Sequence, residues 1–146
     1  MTTSSRIDEL KSALAQRLLV IDGAMGTAIQ NKDLEPDDFG GLEYEGCNEY
    51  LTVTQPDVIE EIHQSYLDAG ADIIETNTFT ANAPSLADYG MESLVSEINQ
   101  AGAAIARHVA DEIATKTGQP KFVAGVLGPT NKNKFRKTIP RRKNIT

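Results

Sequence analysis

The residues best suited to chemistry lie in three short stretches. "VIDGAMGT" (20–27) closes an apolar run with Asp22 and a glycine-rich turn. "ETNTF" (75–79) and "GPTN" (128–131) each follow an apolar run with small polar residues. A carboxylate at Asp22 can accept a hydrogen bond from an ammonium group, while backbone N–H groups of Gly23 to Gly26 hold a carboxylate. The competing reading is that Asp22 caps the short helix "GTAIQN". Asn77 and Thr78 can hydrogen-bond a polar ligand or tie down the loop after them. At the level of these motifs both alternatives stand.

Other chemistries fit poorly. Gly23 and Gly26 are too close for a Walker phosphate loop and no lysine follows, while Ala24-Met25 breaks the dinucleotide-binding G-x-G-x-x-G spacing. His63 and His108 each fall alone within a helical stretch and read as packed or surface side chains, not metal ligands. Cys47, in "YEGCNEYL", has no His or second Cys nearby and reads as a packed or loop thiol. No Ser-His-Asp triad can be argued from these spacings. Asn144-Ile145-Thr146 matches a glycosylation sequon, which means little without a secretion signal.

The elements that must position the three stretches are legible from periodicity. Ser5 with Asp8 suggests a capping box, and Ile7, Leu10 and Leu14 follow at helical spacing. "LLVID" (18–22) reads as a fully buried strand. Residues 31–54 are polar and Gly-rich, which suggests a surface loop. Thr54 with Asp57 repeats the capping signal, Val58, Ile59, Ile62 and Tyr66 give a buried helix face, and Gly70 ends that helix. "ADIIETNTF" (71–79) is a second buried run. A helix over about 92–115 turns Leu94, Val95, Ile98, Ala101, Ile105, Val109 and Ile113 inward, and Gly118 and Pro120 break it. "FVAGVLGPTN" (122–131) is the third run. Strands spaced by helices imply parallel pairing, with ligands at the carboxyl ends of the strands. Three polar strand ends would then converge on one site.

Composition sets the outer limits. The chain has 146 residues, 40% of them hydrophobic and 24% charged, which suits one globular domain. All 21 acidic residues and seven of the 14 Lys/Arg lie in 1–130, giving that part −14; the other seven lie in 131–146, giving +7. An acidic body does not attract nucleic acid, so no nucleic-acid partner is expected, and no apolar run suits a membrane span. The basic segment 131–146 has one aromatic and no heptads, and reads as a disordered end or a shifted reading frame. One cysteine and a polar N-terminus without a secretory signal suit the cytoplasm.

Together, "VIDGAMGT", "LTVTQPDVIEEIHQSYLDAGADIIETNTF" and "FVAGVLGPTN" resemble the homocysteine S-methyltransferase module, in this order and at this spacing. The resemblance covers about residues 8 to 131. It is greatest to the N-terminal homocysteine-binding module of the cobalamin-dependent methionine synthases, since stand-alone homocysteine methyltransferases usually end the third strand differently from "GVLGPTN". It implies an α/β fold, the first three or so β/α units (1–130) of a TIM barrel that binds homocysteine at its C-terminal face. By that resemblance Asp22 contacts the homocysteine amino group and the turn at Gly23, Ala24 and Met25 receives its amino-acid end. Asn77, Thr78, Thr130 and Asn131 line the same mouth.

The resemblance also implies zinc, held by three later cysteine thiolates, which favours the homocysteine thiolate, and methyl transfer from cobalamin recharged by 5-methyltetrahydrofolate. No residue here matches those zinc ligands, and the cobalamin and folate modules, partners within the full-length family enzyme, are not in this sequence. A full barrel takes roughly 250 residues and eight strands. Three strands leave both sheet edges unpaired, so marginal stability, aggregation and a fragment inactive by itself are expected. The competing functions are a fragment of a stand-alone zinc-dependent homocysteine methyltransferase using a sulfonium donor, a non-catalytic homocysteine binder, and a pseudogene product.

Overall fold

The computed structural model describes residues 3–130, with side chains from Arg6 onward. The basic segment 131–146, including Asn131, lies outside the described residues.

Helix α1 (Thr3–Gln16) already includes Ser5, so Ser5 sits in the first turn and not at a cap. Ile7 and Leu14 are exposed, and two arginine bonds tie α1 to the rest: Arg6 to Asp111 at 3.0 Å and, just past its end, Arg17 to Asp72. The next segment, 18–22, is extended but is not a full strand. It forms one parallel bridge, Ile21 to Ile73, with the Asp22 N–H donating to the Ile73 carbonyl at 2.9 Å. The expectation of a fully buried strand fails here. Leu18 is 91% exposed and Val20 58%, because the segment pairs along one edge only among the described residues.

Helix α2 (Met25–Gln30) follows the glycine turn. Residues 31–54 depart from a simple surface loop. They wind through three 3-10 turns, Pro36–Phe39, Leu42–Tyr44 and Asn48–Tyr50, into a short helix α3 (Leu51–Thr54). Gly40 and Gly41 take positive φ between the first two turns, which frees the chain to fold back. Phe39, Cys47, Glu49, Leu51 and Thr52 are buried as a result. Thr54 does not cap the next helix. Its hydroxyl donates to the Tyr50 carbonyl, and Pro56, whose fixed φ suits a first helical position, opens α4 (Pro56–Asp68) after Gln55.

The inner face of α4 is Ile59, Ile62, His63 and Leu67, with Tyr66 half-buried, and Gly70 follows its end in the left-handed region. Strand β1 (Ile73–Glu75) leads through a bend to α5 (Ala83–Leu86), then to the long helix α6 (Val95–Thr117), ended by left-handed Gly118. Ile98, Gly102, Ile105, Ala106, Val109, Ala110 and Ile113 form its buried side, while the expected Leu94, Val95 and Ala101 are half-buried at its rim. Strand β2 (Phe122–Ala124) pairs parallel with β1 in the register Ile73–Phe122, Ile74–Val123, Glu75–Ala124. The lateral order is therefore 18–22, β1, β2, matching the order in the chain.

The core packs α4 and α6 onto β1 through Leu67, Ile74, Ala106, Val109, Ala110 and Ile113. Two adjoining clusters carry the loop 31–54: Phe39 and Leu51 pack on Ile59 and Ile62, and Cys47 packs on Leu86, Met91 and Ile98. None of the helices among the described residues is long and apolar enough to cross a membrane.

Candidate functional site

The three strand ends do converge. Asp22 after the first extended segment, Glu75, Thr76, Asn77 and Phe79 after β1, and Val126 after β2 line one cavity of ≈ 480 Å³ with the turn Gly23–Gly26 and with Asn48 and Glu49. Parallel register places these carboxyl ends side by side.

Asp22 is the centre of the arrangement. Its Oδ2 accepts the Glu75 N–H at 3.0 Å, which ties the first strand end to the second. Its Oδ1 is enclosed and has no hydrogen-bond partner. Burial pushes the Asp22 pKa above its ordinary value, against the Glu75 N–H that bonds it. Asp22 does not cap α2, whose N-cap is Ala24 with no side-chain bond, so the capping alternative fails. The turn is shaped from behind by Tyr66 of α4. Its ring would lie 3.3 Å from a Cβ on Gly23, and its hydroxyl donates to the Ala24 carbonyl at 3.4 Å.

Asn77 is buried on the cavity wall, and its Nδ2 donates to the Asn48 carbonyl at 2.8 Å. The side chain thereby ties the loop 48–49 to the second strand end. Glu49 makes a second tie, its Oε1 accepting the Thr80 N–H at 2.9 Å. Thr78 is buried behind the cavity. Its hydroxyl donates to the Val126 carbonyl at 2.9 Å, while Thr76 Oγ1 accepts the Val126 N–H at 3.0 Å. With those roles fixed, the Thr76 hydroxyl must donate to Thr78 Oγ1 across 2.7 Å. The two hydroxyls thus clamp the third strand end to the second, and Thr78 has its donor committed to the fold. Close approaches seat the same strand ends. A Cβ on Gly102 of α6 would lie 2.9 Å from Thr78 Cγ2, and one on Gly128 would collide with the Phe79 carbonyl oxygen.

Of the residues expected at the mouth, Asp22, Gly23, Ala24, Met25 and Asn77 line the cavity. Thr78 stands behind it, Thr130 is exposed off its wall, and Asn131 lies outside the described residues. Sequence reasoning missed Asn48 and Glu49. Glu75 fell inside the flagged stretch 75–79 but was given no role in the site. Asn48 and Glu49 sit in a stretch read as loop, and no local pattern distinguishes them. The wall carries three carboxylates, Asp22, Glu49 and Glu75, and no Lys or Arg. Such a cavity favours a ligand with an ammonium group.

The zinc implied above does not fit these residues. Among the described residues no three His, Cys, Asp or Glu side chains come together to hold a metal ion. Cys47 is buried in an apolar cluster, and burial pushes its thiol up to about 11, so it stays protonated at neutral pH. His63 is fully buried with both ring nitrogens unpartnered, and burial lowers its pKa to about 4. His108 is exposed on α6, 3.9 Å from Glu112.

Known proteins resemble this chain in sequence and in fold. The family model for homocysteine S-methyltransferase matches residues 19–142, running on into the basic segment set apart by its charge. Solved structures of the homocysteine methyltransferase MmuM from Escherichia coli share the fold. The metallated form superposes with a TM-score of 0.68 at 23% identity, the oxidized form with 0.69 at 24%. In each case 83% of this chain is covered, and the chain spans 41% of the length of those structures. With the family model matching most of its length, the chain belongs to the homocysteine S-methyltransferase family.

Proposed function

We propose that residues 18–130 form the substrate-binding strand ends of a TIM-barrel homocysteine methyltransferase, and that this part of the barrel receives the amino-acid end of homocysteine. The observation that carries the reading is Asp22 Oδ1, enclosed beside the cavity without a partner. A substrate ammonium supplies the missing donor and a compensating charge, which removes the penalty of a buried unpaired carboxylate oxygen. Asn77 and Glu49 keep the opposite wall in place through the loop 48–49. The turn 23–25, backed by Tyr66, sets how closely the substrate backbone approaches.

These residues bind and orient. None of them lowers the pKa of a substrate thiol, so the methyl transfer belongs to a site that the described residues do not build. The "GVLGPTN" ending supports the methionine synthase type, with methylcobalamin as donor and methionine as product, over the sulfonium-using type. The residues described do not fit zinc, since no three metal-ligating side chains come together among them.

Calorimetric titration of the chain with L-homocysteine tests the reading. Saturable binding is expected, weakened about tenfold or more in Asp22→Asn, in line with loss of a charged hydrogen bond of about 1.5–3 kcal/mol. Equal affinity in the variant overturns the role of Asp22. No binding at millimolar ligand by a folded chain overturns the function.

A further inference from the structure

The acidic body of this protein contains one concavity with the opposite character. Four of the seven Lys and Arg side chains in residues 1–130, Arg6, Arg17, Arg107 and Lys121, line a groove of ≈ 680 Å³ between α1 and the C-terminal half of α6. Arg17 and Lys121 border the N-terminal ends of the strands, so the groove is at the far end of the strands from the cavity around Asp22. Two of the four cations are tied to the strand ends. Arg17 forks onto Asp72 with bonds of 2.8 and 2.7 Å, and Lys121 Nζ donates to the Ala71 carbonyl at 2.6 Å.

The other two are not. Arg6 Nη2 and Arg107 Nη2 converge on the same oxygen, Asp111 Oδ1, at 3.0 and 2.8 Å. One carboxylate oxygen therefore holds two guanidinium groups close together and neutralises only one of their two charges. Arg107 also donates from Nη2 to the Lys121 carbonyl at 3.2 Å, while its Nε is enclosed with no partner at all. Glu9 is the remaining acid on the wall; counting Asp111 and the Asp72 that pairs with Arg17, three acids meet four cations and leave an excess of one.

We propose that this groove is an anion site for a small multivalent oxyanion of the phosphate class, bridged between Arg6 and Arg107. Paired guanidinium groups present planar forks of N–H donors that match tetrahedral oxyanions, whose negative charge answers the net positive charge of the wall. Nineteen of the 21 acidic residues lie off the groove's wall and make the rest of the described body repel the same ion, so the groove is the place where it settles. This site is independent of the homocysteine reading.

The test is an amide chemical-shift titration of the full chain with inorganic phosphate, at an ionic strength held constant with chloride. Saturable shifts are expected in α1, around 107–111 and at 118–121. Arg6→Gln, at a half-exposed position the core does not need, weakens phosphate about tenfold. Lys11→Gln, exposed on the same helix but outside the groove, leaves the affinity unchanged. Arg107→Gln abolishes binding if the variant folds, and Arg6→Gln decides the matter if it does not. Shifts no larger than those from chloride overturn the proposal. So does equal weakening by Arg6→Gln and Lys11→Gln, or a response confined to the seven cations of 131–146.

Discussion

The two ends of the parallel strands treat the same side chain in opposite ways. At the N-terminal end, Asp72 is buried and fully satisfied. It accepts two bonds from the Arg17 fork and a third from the Val20 N–H at 3.0 Å, and the Arg17 guanidinium holds its pKa down at about 2. At the C-terminal end, Asp22 keeps one oxygen with a single backbone donor and the other with none, and burial pushes its pKa up. One aspartate fastens the fold and the other is held at a cost the fold does not repay. That is the contrast expected between the stability end and the ligand end of parallel strands joined by helices.

The sharpest way to break the comparison is to remove the N-terminal aspartate. Asp72→Asn takes a charge from Arg17 and two charge-assisted bonds, and is expected to destabilise by about 2 kcal/mol, at the low end for such pairs because Arg17 is half in water. Urea unfolding followed by circular dichroism measures it. If Asp22→Asn destabilises as much, the two ends do not differ in kind.

Acid unfolding separates the contributions by pH. His63 is neutral and depressed to about 4 in the fold against an ordinary 6.5. Its contribution is therefore complete above pH 6.5 and is lost as pH falls toward 4, at up to about 1.4 kcal/mol per pH unit for one proton taken up on unfolding. Asp72 is depressed from 3.8 to about 2, so its contribution survives to near pH 4 and is lost below that. Stability measured from pH 7 to 4 is expected to slope in the native chain and to flatten in His63→Leu. A slope unchanged by that variant places the acid sensitivity elsewhere.

Much of this contrast could be read from the sequence at one end only. The apolar runs stopping at Asp22, at Glu75–Thr78 and before Gly128 pointed to a common mouth, because each run ends where small polar residues begin. Helices α4 and α6 were legible from their 3.6-residue spacing and from Gly70 and Gly118. The N-terminal end was not legible. Asp72 and Arg17 are 55 residues apart, and nothing local marks either as paired. Glu49 was hidden for a similar reason, since only the fold of 31–54 buries a carboxylate against Thr80. The burial assigned to 18–22 failed because an apolar run reports a strand's preference, and the exposure of Val20 and Ile21 depends on what pairs with them.

A smaller effect tests how the ligand end is built. Gly102→Ala places a methyl group 2.9 Å from Thr78 Cγ2, so Thr78 or α6 must shift by a few tenths of an ångström. A loss of about 1 kcal/mol is expected, with homocysteine affinity falling as Asn77 moves with its neighbour. Thr78→Ser relieves the clash by removing that methyl group and keeps the hydroxyl bond to Val126. The double variant is expected to recover affinity. If Gly102→Ala changes stability and leaves affinity untouched, the strand end behind the cavity does not set its shape.

The smallest change concerns a single proton. Because the Asp22 pKa is raised in the fold, its contribution has the opposite sign to that of Asp72: stability is gained when Asp22 is protonated and lost as pH rises through its folded pKa. Asp22→Asn is therefore expected to be neutral or slightly stabilising at pH 7, within about 1 kcal/mol of the native chain. The Asp22 carboxyl carbon, followed by NMR, should titrate above the usual carboxylate range in the free protein. An ammonium group seated against Oδ1 favours the ionised form, so homocysteine should move that midpoint down. A des-amino thiol acid of the same length should leave it in place. A midpoint that ignores homocysteine, or that follows both ligands equally, would mean that the enclosed oxygen is a feature of packing and that the amino group is read elsewhere.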